Sequence, residues 1–316
     1  MAYYYKVKPK KARRCYKHQK DGYASWNQAS HAEQHLVYPE NLTPHLAIDE
    51  VSLAKGELYT FISSRDRTGR KGKLVGMVAS TKSEDIVGVT ERIPLSELQK
   101  VTEVSLDMAS NMRKACARAF PHATLVTDRF HVVRLVMDAM QHVRIDQRWK
   151  EIDKENKAIK QARKKGAKYI QTTLSNGDTP KQLLARSRYL LYKHPEQWTD
   201  SQIHRAGLLF QLYPRIEEAY RLAWDFRKIY NHTSKDKALT LIKQWLQYAK
   251  ESALEHFNTV KDAIINHLDG ILAFFNNRTT NAHAESLNAQ IKLFRAQLRG
   301  VNDTKLFLSR LQKIFA

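Results

Sequence analysis

The residues best able to do chemistry lie in the stretch from Thr280 to Lys292, Thr-Asn-Ala-His-Ala-Glu-Ser-Leu-Asn-Ala-Gln-Ile-Lys. Glu285, Asn288 and Lys292 follow one another at i, i+3 and i+7, so a helix sets an acid, an amide and a cation on one side. Leu287, Ile291, Phe294 and Leu298 supply the apolar stripe that docks such a helix. Arg295 and Arg299 extend the cationic end. A lone carboxylate among amides and cations suits a site that holds a metal-bound phosphodiester.

One carboxylate cannot hold a hard divalent ion alone, so further acids must come from elsewhere in the fold. Upstream, alternating and short apolar runs predict strands at His45–Asp49, Gly56–Ser63, Lys73–Ala79, Val101–Leu106 and Ala123–Thr127. Helical spacing fills Ser83–Arg92 and Asn111–Phe120, the latter closed by Pro121. Three strands as hairpins followed by strand, helix, strand give an α/β domain with a mixed five-stranded sheet. Asp49 falls late in the first strand, and Asp107 and Asp128 fall at the ends of the fourth and fifth. Acids at strand ends also serve as turn caps, so each alone is ambiguous and their joint placement is what counts. Strand alternation turns Glu50 to the face opposite Asp49 and excludes it.

Residues 132 to 270 change character, being long, charged and nearly free of strand patterning. Helices are expected at His131–Lys165, Pro180–Tyr192, Asp200–Leu212, Pro214–Tyr230, Ser234–Ser252 and His256–Phe275, with Trp198, Trp224 and Trp245 serving the core of that block. The chain thus divides into a basic N-terminal arm (1–44), a first part of the α/β domain (45–131), an all-helical insertion (132–270) and C-terminal helices that complete the first domain (271–316).

Composition narrows the partner. The 316 residues, 42% of them hydrophobic, suffice for one large core or two modest ones, which excludes disorder as the default. No run reaches the ~20 apolar residues of a membrane span, and the first residues lack a secretory signal, so a cytoplasmic, nucleoid-associated protein with no membrane partner is expected. Cys15 and Cys116 are the only cysteines, which excludes a disulfide framework. Cys15-x2-His18 and His31-x3-His35 have spacings reminiscent of a zinc finger, but structural zinc sites draw more of their ligands from cysteine. Fifty-three Lys and Arg against 32 Asp and Glu give a formal charge of +21, an excess that points to a polyanion, nucleic acid above all. Lys6, Lys8, Lys10, Lys11, Arg13, Arg14, Lys17 and Lys20 form an acid-free run that reads as a phosphate-tracking arm.

The order strand-Asp49, then Leu106-Asp107-Met108, Phe120-Pro121-x-Ala123, Asp128-Arg129-Phe130-His131, and finally Arg278-x-Thr280-Asn281-x-x-x-Glu285-x-x-Asn288 with Lys292, resembles the DDE transposases of bacterial insertion sequences. It is most similar to their ISL3 group, from about residue 45 to the C-terminus. The resemblance implies an RNase H-like fold interrupted by a helical insertion before the last acid. It implies Asp49, Asp107 and Glu285 as catalytic acids holding two Mg2+ ions, with Mn2+ able to substitute. Asp128 and His131 would support the site, with Asp128 the rival of Asp107 for the second seat. Asn288, Lys292, Arg295 and Arg299 would face double-stranded DNA at the transposon ends and target, with Lys292 holding the end, and the protein would act as a dimer or higher multimer on that DNA.

One departure stands out. Many such transposases begin with a Cys-rich zinc module and a helix-turn-helix, whereas 44 residues holding one Cys precede the first strand here. Recognition of the ends would then fall to the basic arm, the insertion, or a separate DNA-binding accessory protein. The activity expected is Mg2+-dependent strand cleavage and strand transfer by two-metal phosphoryl transfer. A structure-selective nuclease of the same fold, and a non-catalytic DNA-binding derivative, are the two rivals.

Overall fold

The computed structural model describes residues 23–54, 57–65, 72–278, 281–298, 301 and 303–316, together with Lys8 and Lys11. Most of the basic arm, Cys15 and His18, residues 66–71 of the basic loop, and Arg299 lie outside the described residues. The chain separates into two compact units, one of residues 1–128 with 277–316 and one of Arg129–Asn276.

The first unit is built on a mixed sheet of β1 (His35–Val37), β2 (His45–Ala54), β3 (Glu57–Ser64), β4 (Leu74–Val78), β5 (Glu103–Leu106) and β6 (Thr124–Thr127). The order across the sheet is β1-β4-β3-β2-β5-β6. β1 to β4 pair antiparallel, whereas β5 runs parallel to β2 and β6 parallel to β5. The sheet has six strands, not the five expected, because β1 arises within the stretch read as an arm. Three residues are too short to show alternation. Its exposed edge is closed by one side chain: the Gln28 amide donates to Val37 O and accepts from Val37 N, both at 2.8 Å, in the way a neighbouring strand would.

Both faces of the sheet are covered, which is why Leu46, Ala47 and Ile48 are all buried in succession. On one face Leu46, Ile48, Ile62, Val104 and Leu106 pack with Met112, Cys116 and Phe120. Met112 and Cys116 belong to α3 (Ser110–Ala119), which follows α1 (Ser83–Thr90) and α2 (Leu95–Leu98). On the other face Val51, Tyr59, Phe61 and Met77 pack with residues of two C-terminal helices, described below.

The second unit is all helical among its described residues: α4 (Arg129–Lys164), α5 (Pro180–Arg186), α6 (Asp200–Leu212), α7 (Pro214–Ile229), α8 (Lys235–Glu251), α9 (His256–Asn266) and α10 (Leu268–Asn277), the last ending where the chain returns to the first unit. Local signals set several starts. Thr179 and Thr199 form capping boxes with Gln182 and Gln202, Pro180 and Pro214 occupy first-turn positions, and the Ser234 hydroxyl accepts from Lys237 N. Two helices end earlier than the spacing predicts. α5 stops at Arg186 and a 3-10 turn takes Leu190–Tyr192, and the span His256–Phe275 breaks at His267, whose φ of −113° and ψ of 15° leave helical geometry. The tryptophans serve this unit: Trp245 is buried with Nε1 donating to Leu222 O at 2.8 Å, and Trp198 donates to Leu190 O at 3.1 Å.

In the first unit, α11 (Ala282–Gln297) and α12 (Thr304–Phe315) close the chain. Leu287 and Ile291 of α11 join Phe307, Leu308, Leu311 and Phe315 of α12 beneath the sheet, with Phe294 and Leu298 packed alongside. This is the apolar stripe read from the sequence. No helix among the described residues is long and apolar enough to cross a membrane.

Candidate active site

Three acids are brought level by the parallel register, and Asp49, expected late in its strand, stands midway along β2, which runs on to Ala54. His45, Leu46 and Ala47 of β2 pair with Glu103, Val104 and Ser105 of β5, and the same offset carried two residues on sets Asp49 opposite Asp107. Leu106 pairs with Thr127, so one step further sets Asp107 opposite Asp128. The three aspartates therefore form a level row across three neighbouring parallel strands, Asp49 midway along β2 and Asp107 and Asp128 just past the ends of β5 and β6.

Alternation decides which helix each acid meets. Val51 packs with Leu287 and Ile291, so Asp49, two residues before it, points toward α11. There the Asn288 amide donates to Asp49 Oδ2 at 2.6 Å, while Oδ1 accepts from the Glu50 N–H at 2.9 Å. Asn288 is only 6% exposed, so it is an anchor between helix and strand. Expected among the DNA-facing residues, it meets Asp49. Glu285, one turn earlier, is exposed in the first turn of α11, where the helix dipole favours a negative charge. Lys292 is exposed and Arg295 half-buried, so the acid and the lysine flank the buried amide on one side of the helix.

Asp107 sits where β5 ends and the chain turns toward α3. Its Oδ1 accepts from the Ala109 N–H at 2.8 Å, an Asx turn that swings the chain into the helix. On the α3 face Glu50 has its carboxyl pKa raised, first by partial burial and then by the negative charge of Asp107, against a lowering hydrogen bond from Asn111. Sequence reasoning put Glu50 on the face opposite Asp49, where it is. What it missed is that Asp107, lying past the last strand residue, is near enough to repel it. The Asp107-x-Ala109-Ser110 turn signature was the available clue.

Asp128 is 2% exposed, with its N–H donating to Leu106 O at 2.8 Å, which extends the β6 ladder by one residue. His131 belongs to the second unit, on α4, with its ring edge-on to Phe130 at 5.5 Å.

The donor chemistry fits a hard divalent ion, since the row and Glu285 offer only carboxylate oxygens. Among the described residues, however, no three His, Cys, Asp or Glu side chains are gathered closely enough to cage a metal ion. Both Asp49 oxygens already accept a hydrogen bond, and Glu285 faces solvent.

Comparison with known proteins bears on this arrangement. The chain is 23% identical over 272 residues to the transposase for insertion sequence element IS1001 of Bordetella parapertussis, covering 86% of this chain and 61% of that protein. It is 23% identical over 252 residues to the transposase for IS1557 of Mycobacterium tuberculosis, covering 78% and 54% respectively. It therefore spans little more than half the length of these relatives. A family profile described as transposase, of the DDE type and ISL3 group, matches residues 46–311, from the second residue of β2 to within α12. That span takes in Asp49, Asp107, Asp128 and Glu285, and the chain belongs to the ISL3 family of transposases.

Proposed function

We propose that this chain is the catalytic part of a DNA transposase, with an RNase H-like domain formed by the first unit and an all-helical insertion formed by the second. The observation that carries this reading is the level row of Asp49 and Asp107 on adjacent parallel strands, with the helix bearing Glu285 tied to Asp49 through Asn288. An antiparallel meander followed by two parallel strands supports the RNase H-like assignment.

Asp49, Asp107 and Glu285 would hold Mg2+, or Mn2+ in its place, and the bound ions would neutralise the phosphodiester and activate the attacking oxygen. The residues of the chain do the rest. Asn288 fixes the Asp49 carboxylate against the sheet. The Asx turn at Asp107 holds that acid at the strand end. Lys292 and Arg295 line the same side of α11 as Glu285, with Arg299 following in sequence, and would take the phosphates of duplex DNA. Asp128 and His131 would support the site. In the first reaction water attacks phosphorus and the P–O3′ bond breaks, which frees a 3′-hydroxyl. In the second that hydroxyl attacks a target phosphodiester, displacing the target's own 3′ oxygen. A multimer on DNA, an accessory DNA-binding protein and a nucleoid location in the cytoplasm complete the proposal.

The ungathered acids favour one rival, a DNA-binding derivative without chemistry. Incubation of the full chain with pre-cleaved ends, a circular duplex and Mg2+ separates the readings. Joined products are expected; cleavage without joining would mean a nuclease, and DNA binding with neither would mean the non-catalytic form.

A further inference from the structure

The second half of α4 carries a charge pattern that the candidate active site does not use. From Asn156 to Gly177 the sequence holds Lys157, Lys160, Arg163, Lys164, Lys165 and Lys168 and no acid. On the helix, Lys150, Lys157 and Lys164 recur every seven residues, about 10.5 Å apart at 1.5 Å per residue. Lys154, Lys160 and Lys165 flank them, and all six are exposed.

Two acids of the same helix are turned the other way. Glu155 accepts from Gln171 at 3.0 Å and pairs with Lys181 at 2.6 Å, with its side chain 14% exposed, and Glu151, 16% exposed, pairs with Lys154. Asp146, one turn before Lys150 and paired with His256, and Asp153 are the acids on the lysine side. Lys150, Lys157, Lys160 and Lys164 make no ion pair among the described residues.

The helix dipole does not account for this. It favours cations only in the last turn, which explains Arg163, Lys164 and Lys165 before the cap at Gly166, where φ is +65° and Ala167 N bonds back to Ala162 O at 2.9 Å. Lys150, Lys157 and Lys160 lie further in. There, like charges three and four residues apart cost about 0.2–0.5 kcal/mol per pair in a helix. Such a stripe is stabilised when a polyanion covers it.

We propose that the outward face of α4 from Lys150 to Lys164 binds the phosphate backbone of duplex DNA. The stripe from Lys150 to Lys164 extends about 21 Å, the rise of roughly six nucleotides of one strand. This inference rests on the DNA-transposase reading and adds a second, non-catalytic contact in the helical unit.

The test measures binding of the full chain to a mixed-sequence duplex across a salt series. K150Q/K157Q/K164Q should lower the slope of log K against log salt by about 2.7, or 0.9 for each phosphate no longer neutralised. The thermal midpoint should not move, because the three side chains are exposed. K235Q/K237Q/K243Q, three exposed lysines of α8, should change the slope by less than one. An unchanged slope in the first variant, or an equal drop in the control, overturns the proposal, as does loss of binding to phosphatidylserine vesicles with DNA binding intact. A wild type with no salt-dependent DNA binding would instead remove the transposase reading beneath it.

Discussion

The two ends of β5 treat an acid in opposite ways. At its start Glu103 is buried, with a side chain 4% exposed, and receives Arg65 Nη2 at 2.7 Å and Asn277 Nδ2 at 2.9 Å, with His45 Nδ1 at 3.9 Å. At its end Asp107 is half-exposed, makes no ion pair among the described residues, and has another acid, Glu50, for an electrostatic neighbour. Residue 103 lies within the strand, whereas residue 107 lies just past it, where the turn into α3 brings it near Glu50 on the α3 face. An acid neutralised from within the chain is a structural tie, here joining the end of β3 to the point where α10 hands the chain back. Acids left beside one another call for positive charge from outside. That difference marks Glu103 as scaffold without reference to any relative.

The sharpest way to break it is to neutralise the exposed end. Asp107→Asn should abolish Mg2+-dependent strand cleavage. Loss of several kcal/mol of charge stabilisation at the metal corresponds to about a thousandfold at 1.36 kcal/mol per decade. The folded state should be no less stable, since a repulsion with Glu50 is relieved. Asp128→Asn should retain cleavage. If the Asp128 variant were dead and the Asp107 variant active, the second catalytic seat would pass to Asp128.

Neutralising the buried end should do the reverse. Glu103→Ala removes the carboxylate that pairs with Arg65, whose side chain is 13% exposed, a loss of about 3–5 kcal/mol for breaking a buried ion pair. Urea denaturation should show it as a lower midpoint, with cleavage per folded molecule unchanged. A variant as stable as the wild type would mean that Glu103 is not the tie argued here.

Asn288→Ala probes the joint between the two kinds of acid, since a buried amide holds an acid of the row. Its loss should cost about 1–2 kcal/mol of stability from the hydrogen bond and slow cleavage about tenfold, with Asn288→Gln no full replacement because the extra methylene displaces the amide. Undiminished cleavage would show that Asp49 needs no such anchor.

Much of this was legible beforehand. The stripe of Leu287, Ile291, Phe294 and Leu298 and the strands around Asp49, Asp107 and Asp128 follow from periodicity, because burying one face leaves a regular trace. The rest depends on contacts that periodicity does not carry. Helical spacing groups Glu285, Asn288 and Lys292 on one side, yet only the packing of α11 on β2 decides that the middle one is buried against Asp49. Alternation separates Glu50 from Asp49 but says nothing of Asp107, whose position is set by a turn after the strand has ended. β1 escaped because three residues and a side-chain partner, Gln28, leave no pattern at all.

The smallest expected effect belongs to Glu50, and it tests the like-charge neighbour directly. Its folded pKa is raised above the usual carboxylate value of 4.5, so the folded state binds the proton more tightly than the unfolded chain. Its contribution is therefore favourable at acid pH and is lost as pH rises from about 4.5 through the raised folded value. Glu50→Gln removes that titration. The variant should match the wild type near pH 4, exceed it modestly at pH 7, and show a flatter stability profile between. Asp107→Asn should flatten the same profile only in part, because burial, the larger cause of the shift, remains. Equal flattening by both variants would make the repulsion the dominant cause, whereas no change with Asp107→Asn would mean that Asp107 does not act on Glu50, and the contrast between the two ends of β5 would rest on exposure alone.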